Sequence, residues 1–176
     1  IWSTIIAQIS GEKLSENDSY STIIWQLRLP RVLLAFLVGS ILATAGCAYQ
    51  GAFRNPLADP YLLGVSAGAG LGATLIIVHA STARNFYLPV AAFGGALAAV
   101  SITYLLGRSA ISGRSSTALI LAGVAVASVL TAAQTLVQQQ NTEVLREVYT
   151  WILGRLSTSG WGELLVITPY ILICSV

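Results

Sequence analysis

Apolar residues in this chain come in long, unbroken runs and not at every third or fourth position. Val32 to Phe53 carries no charge, nor does Tyr61 to Ala83, Asn85 to Gly107 or Ser115 to Thr142, and a further apolar run starts at Leu164. A helix on the surface of a soluble protein shows a polar face at a period of 3.6 residues; these runs show almost none. About 20 largely apolar residues suffice to cross a bilayer. The pattern therefore predicts an all-α, polytopic helical membrane protein with complete spans near 32–53, 61–82, 86–107 and 115–138.

The breaks between runs differ in kind. Ile1 to Gln26 is mixed, and its polar middle, GEKLSENDS, reads as a solvated loop. Arg28-Leu29-Pro30-Arg31 follows and is expected to open the first full span, since proline is tolerated in a helix's first turn. RNPLADP (Arg54 to Pro60) is so short that its flanking helices should be antiparallel neighbours. HASTARNFYLP brings aromatics and a proline to a span start, as at a membrane interface, and GRSAISGRSSTA is small, polar and basic. In the last break Val144, Leu145, Val148, Trp151 and Ile152 recur at helical spacing. They predict an amphipathic interfacial helix, with Trp151 and Trp161 at headgroup depth.

Composition sharpens the class. Of 176 residues 55% are apolar and only 9% charged, and mean hydropathy is +0.76; soluble domains carry about 25% charged residues. A net charge of +2 gives no reason to expect nucleic acid as a partner. Cys47 and Cys174 both lie in apolar runs, where a thiol packs as a small hydrophobe, so neither a disulfide framework nor a metal site is expected. The one histidine, His79, ends an apolar run and reads as structural. No serine has a base beside it, and no carboxylate pair sits in a span, so no catalytic residue and no cofactor is expected.

Charges inside spans mark ion and proton paths, and their absence here argues against ion-coupled transport. It favours a passage lined by small, weakly polar residues and driven from elsewhere. The chain begins at Ile1 with no recognisable signal peptide and stops inside an apolar run, which reads as a fragment of a larger polytopic protein.

Glycine and alanine crowd the run GVSAGAGLGA, with Gly64, Gly68 and Gly72 spaced four apart. In lipid such spacing lets two helix backbones approach closely, so these glycines are expected to form a helix–helix seam. A nucleotide-binding glycine loop is excluded, because no strand pattern precedes it and the spacing is not G-x-G-x-x-G.

Several long stretches carry a resemblance. RLPRVLLAFLVGSILATAGCAYQGAFRNPLADPYLLGVSAGAGLGA, then ALILAGVAVAS, then LREVYTWILGRLSTSGW resemble, in order, the signatures of the FecCD-type permeases. These are membrane subunits of ABC importers for iron–siderophore complexes, haem and cobalamin. The likeness covers about Ile24 to Trp161. It implies a ten-span permease of the bacterial plasma (inner) membrane, of which this chain holds about spans two to six as a single transmembrane region. The implied partners are separate ATP-binding cassette ATPase subunits, an extracytoplasmic substrate-binding protein and a second permease subunit, in a homo- or heterodimer within the lipid bilayer. Iron(III)–siderophore import is the first choice of activity, with haem or cobalamin (vitamin B12) import as the alternative.

The resemblance also implies roles for particular residues. Arg28 and Arg31 match arginines of the family's RLPR motif that are similar to those pairing with glutamates on the binding protein. Asn55 and Leu57, with Ser115, Ser116 and Thr117, match positions that close the passage at its cytoplasmic end.

Orientation separates the two lines of reasoning. Arg54, Arg108 and Arg114 fall on one side of the spans, and Lys13, Arg28, Arg31, Arg84, Arg146 and Arg155 on the other. The positive-inside rule alone puts the amino end in the cytoplasm. The resemblance implies the reverse, and it accounts for the excess arginine outside as a docking surface. A second class is an intramembrane enzyme or a purely structural membrane scaffold; the enzyme would need a nucleophile or metal ligands within the spans, and none is visible in the sequence.

Overall fold

The structure, a computed structural model, describes residues 22–56, 58–80, 84–109, 116–154 and 160–174. The described residues are overwhelmingly helical and contain no strand, the expected all-α architecture. A π-type turn, Ile23–Arg28, runs without interruption into α1 (Leu29–Phe53). A 3-10 turn, Pro60–Leu63, precedes α2 (Val65–His79), which is followed by α3 (Arg84–Ser109) and α4 (Ser116–Gln140). A second 3-10 turn, Thr142–Val144, leads into the short α5 (Leu145–Ile152), and α6 is Trp161–Cys174.

Among the described residues three stretches are long and apolar enough to cross a bilayer: Ile23–Phe53, Tyr87–Arg108 and Thr117–Gln140. Two details depart from the sequence pattern. The run at 61–82 does not form one long helix, because α2 has only 15 residues, about 22 Å at 1.5 Å per residue, against a hydrocarbon core of about 30 Å. Its beginning is taken up by the turn that Pro60 starts. The Asp59 carboxylate accepts the Tyr61 N–H at 2.7 Å, and Gly64 then turns left-handed at φ 77° before the helix begins. That φ carries a steric penalty for any residue with a Cβ.

The first span, by contrast, begins before RLPR and not at it. Pro30 lies inside a continuous helix, where its ring would collide with the carbonyl four residues back. The wider π-type turn directly before it removes that collision, with the Leu29 N–H reaching Ile24 and not the residue after it.

The chain divides into two compact units, Ile1–Ala45 with Arg155–Val176, and Gly46–Gly154. In the second unit α2, α3 and α4 pack on one another, the 60–63 turn lies on α4, and α5 lies on α2. Leu63, Ala73, Ile77, Ala99, Val126 and Val148 form its core. Phe93, Leu97, Leu105, Leu121 and Val129 point outward, each more than half exposed. Apolar surface on that scale suits lipid and not water. In the first unit Pro30 and Leu34 are buried, while Val32, Phe36 and Leu42 face out.

Candidate functional site

The second unit is built on a seam of small residues. A Cβ added at Gly68 would overlap the Gly95 carbonyl oxygen and stand 2.7 Å from the Ala99 Cβ. At Gly72 it would overlap the Ala91 carbonyl, and at Gly95 the Gly68 carbonyl. The α2 and α3 backbones are thus in direct contact, which only glycine at these points permits. Gly64 meets a different helix: a Cβ added there would stand 3.5 Å from Ala127 N and 3.6 Å from Gly123 O, both on α4.

Sequence reasoning missed the other halves of these contacts. Ala91, Gly95 and Ala99 on α3 repeat the four-residue spacing and were legible on that ground. Gly123 of α4 carried no such signal. It admits the 60–63 turn, since a Cβ there would overlap the Leu62 carbonyl oxygen and lie 3.0 Å from Leu63 Cα.

Several hydroxyls within the helices are satisfied locally or by a neighbouring element, as a medium without water requires. The Thr74 hydroxyl, fully buried, donates to the Gly70 carbonyl at 2.7 Å. Ser101 and Ser128 donate one turn back at 2.8 Å each. Thr103 is different: its buried hydroxyl donates to the Leu63 carbonyl at 3.1 Å and so ties α3 to the turn that opens α2. Gln134 lies over Gly70, where an added Cβ would stand 2.8 Å from its Oε1; it is buried on α4 together with Gln138. These groups can hydrogen-bond but carry no charge.

The loop that follows α1 has a defined geometry. Asn55 N–H donates to Gln50 O at 3.1 Å and Arg54 N–H to Gly51 O at 3.3 Å, the paired bonds of a Schellman motif. The residue at its left-handed position is Arg54, at φ 49°, where glycine is usual. Ala58 N–H then donates to Asn55 O at 3.1 Å, and Ala58 is buried.

Asn55 is half-buried and Thr117 is exposed. Leu57 and Ser115 lie outside the described residues; Ser116 begins α4, but its side chain also lies outside them. The end of α3 meets the start of α4, because a Cβ on Gly107 would stand 2.8 Å from Leu119 Cδ2. Thr117 precedes Gly123 by six residues, about 9 Å along the helix. The 60–63 turn, which follows the loop after α1, meets α4 at Gly123.

In the first unit Arg28 is exposed and Arg31 half-buried, three residues apart along one helical stretch. His79 is exposed, and its Nδ1–H donates to the Leu75 carbonyl at 3.0 Å, an ordinary helix-end bond. Cys47 is exposed on α1.

Long apolar helices joined by a glycine seam, with neutral residues (Thr74, Thr103, Gln134 and Gln138) as the buried polar ones among the described residues, are the build of a polytopic helical membrane protein. The chain matches the FecCD transport family over residues 1–176, and it belongs to that family. It is 42% identical over 169 residues to the hemin transport system permease protein HmuU of Yersinia pestis, covering 90% of this chain and 48% of that protein. It is 39% identical over 169 residues to the achromobactin transport system permease protein CbrC of Dickeya dadantii, covering 90% and 48%. To the vitamin B12 import system permease protein BtuC of an Escherichia coli strain it is 36% identical over 178 residues, covering 96% and 54%. The chain spans about half the length of the curated relatives it matches.

Proposed function

We propose that the full protein is the transmembrane permease subunit of a binding-protein-dependent ABC importer, moving iron(III)–siderophore complexes inward. The family match over the whole of this chain carries the reading. The neutral interior of the described helices supports it, because a passage without fixed charge does not trap a large charged cargo. Haem or cobalamin import is the alternative, favoured by the 42% and 36% identities to a hemin and a vitamin B12 permease. ATP is hydrolysed by separate cassette subunits, and this chain has no chemistry of its own.

In this reading the protein lies in the bacterial plasma membrane beside a second permease subunit. Asn55, Leu57, Ser115, Ser116 and Thr117 close the passage at the cytoplasmic end. Small hydroxyls and an amide can meet their symmetry mates there without leaving a buried charge. Arg28 and Arg31 face an extracytoplasmic binding protein, where two guanidinium groups a turn apart donate to carboxylates.

The test is transport by the reconstituted importer of labelled ferric siderophore, haem and cobalamin side by side, with and without binding protein. Uptake that needs ATP and the loaded binding protein supports the reading, and the substrate taken up decides among the three. Uptake independent of both refutes it. Arg28→Glu with Arg31→Glu should abolish stimulated ATP hydrolysis and leave basal hydrolysis near its original rate, since like charges set against carboxylates cost several kcal/mol. Normal docking of that double variant at low salt would remove the arginines from the interface.

A further inference from the structure

The π-type turn that ends in Arg28 has an unusual hydrogen-bond account. In a regular helix the Trp25 carbonyl would take the N–H of Leu29, but that N–H donates to Ile24. In the wider π pattern its donor would be residue 30, and Pro30 has no N–H. Neither helical register supplies a backbone donor to this carbonyl.

A side chain supplies one from far along the chain. The Trp161 indole Nε1–H donates to Trp25 O at 3.0 Å, and the two indole rings pack with centroids 5.3 Å apart and planes tilted by 40°. Both residues belong to the same compact unit. The bond is part-buried, and a buried backbone carbonyl left without a donor costs free energy, so this bond and ring contact hold the turn open in its wide form. Arg28 is the last residue of that turn, and Arg31 lies in the regular helix beyond it. The width of the turn sets the direction in which Arg28 leaves the helix relative to Arg31.

We infer that Trp161 is a positioning residue for the docking surface: through Trp25 and the proline-widened turn it aims Arg28 alongside Arg31 at one acidic patch of a partner protein. The inference rests on the docking reading of Arg28 and Arg31 and adds the element that presents them. A bidentate fork is sensitive to direction, so a misaimed guanidinium loses the benefit of its geometry although its charge remains.

The experiment uses the full-length permease assembled with its ATPase subunits and measures the dissociation constant of the purified binding protein. Trp161→Phe keeps an aromatic ring and removes the donor. It should weaken docking about five- to tenfold, the equivalent of one hydrogen bond's net worth. In an Arg28→Ala background the same change should cause no further loss, because Trp161 acts through Arg28. Pro30→Ala removes the ring that collides with the carbonyl four residues back and lets the turn close to a regular helix. This variant should fold at least as well as the parent, since proline is the poorest helix former, and yet dock more weakly.

Additive losses in the Arg28→Ala background, or unaltered docking by both Trp161→Phe and Pro30→Ala, overturn the inference while leaving the docking reading intact. If Arg28→Ala itself does not weaken docking, the docking reading fails and the inference fails with it.

Discussion

Gly94 and Gly95 are neighbours in sequence on one helix, yet the structure assigns them opposite sensitivities. A Cβ on Gly94 would meet nothing within 4 Å, whereas one on Gly95 would overlap the Gly68 carbonyl oxygen and stand 3.4 Å from Gly72 Cα. Both sit in α3, so alanine at either position gains the same helix propensity, about 1 kcal/mol over glycine. That gain cancels when the two variants are compared, and what remains is the steric term at the seam. The Gly68 carbonyl belongs to a backbone that cannot rotate away, so α2 and α3 must separate. A gap of about 0.5–1 Å forfeits a quarter to a half of each dispersion contact across it. Overpacking of this kind costs about 1–3 kcal/mol, a factor of about 5 to 150 in the folding equilibrium. Equilibrium unfolding of the full-length protein in mixed lipid–detergent micelles, followed for Gly94→Ala and Gly95→Ala in parallel, measures the difference directly. Gly95→Ala should be the less stable by that amount. Equal stability of the two variants would refute the contact between backbones and with it the seam.

The same unfolding measurement tests two further contacts. Arg54→Gly should stabilise the protein by about 1 kcal/mol, because a left-handed residue with a Cβ costs about 1–2 kcal/mol and part of the gain is lost to glycine's entropy; Arg54→Val should destabilise it, and the reverse order would contradict the Schellman geometry. Thr103→Val removes the donor that α3 offers to the Leu63 carbonyl, and should cost about 0.6 and at most about 1.7 kcal/mol, the average and the upper end for hydrogen bonds between membrane helices, while Thr103→Ser retains most of the stability. For the passage, Ser116→Cys in a background lacking Cys47 and Cys174 should crosslink two permease subunits in the resting importer and stop transport. Labelling of that cysteine only by membrane-soluble reagents would place it against lipid and refute its part in the gate.

Run length and the absence of charge were enough to determine that this chain is helical and spans a membrane, because the cost of an unpaired backbone group in lipid leaves few alternatives. Ordered motifs such as RNPLADP and LREVYTWILGRLSTSGW likewise determined the family. The four-residue glycine spacing announced a close approach of helices, since spacing fixes which residues share a face. It could not name the opposing helix, and it grouped Gly64 with Gly68 and Gly72. Only the tertiary structure separated them: at φ 77° Gly64 stands before the helix and not within it, so the periodicity that relates Gly68 to Gly72 does not reach it.

The start of the first span shows the same division. Pro30 just ahead of an apolar run reads as a helix start by local rules, and the helix instead passes through it. What permits this is a widened turn whose orphaned carbonyl at Trp25 is met by Trp161, 136 residues later. Local sequence sets which backbone groups will lack partners. Which distant side chain meets them depends on helices coming together, and no pattern along the chain encodes that.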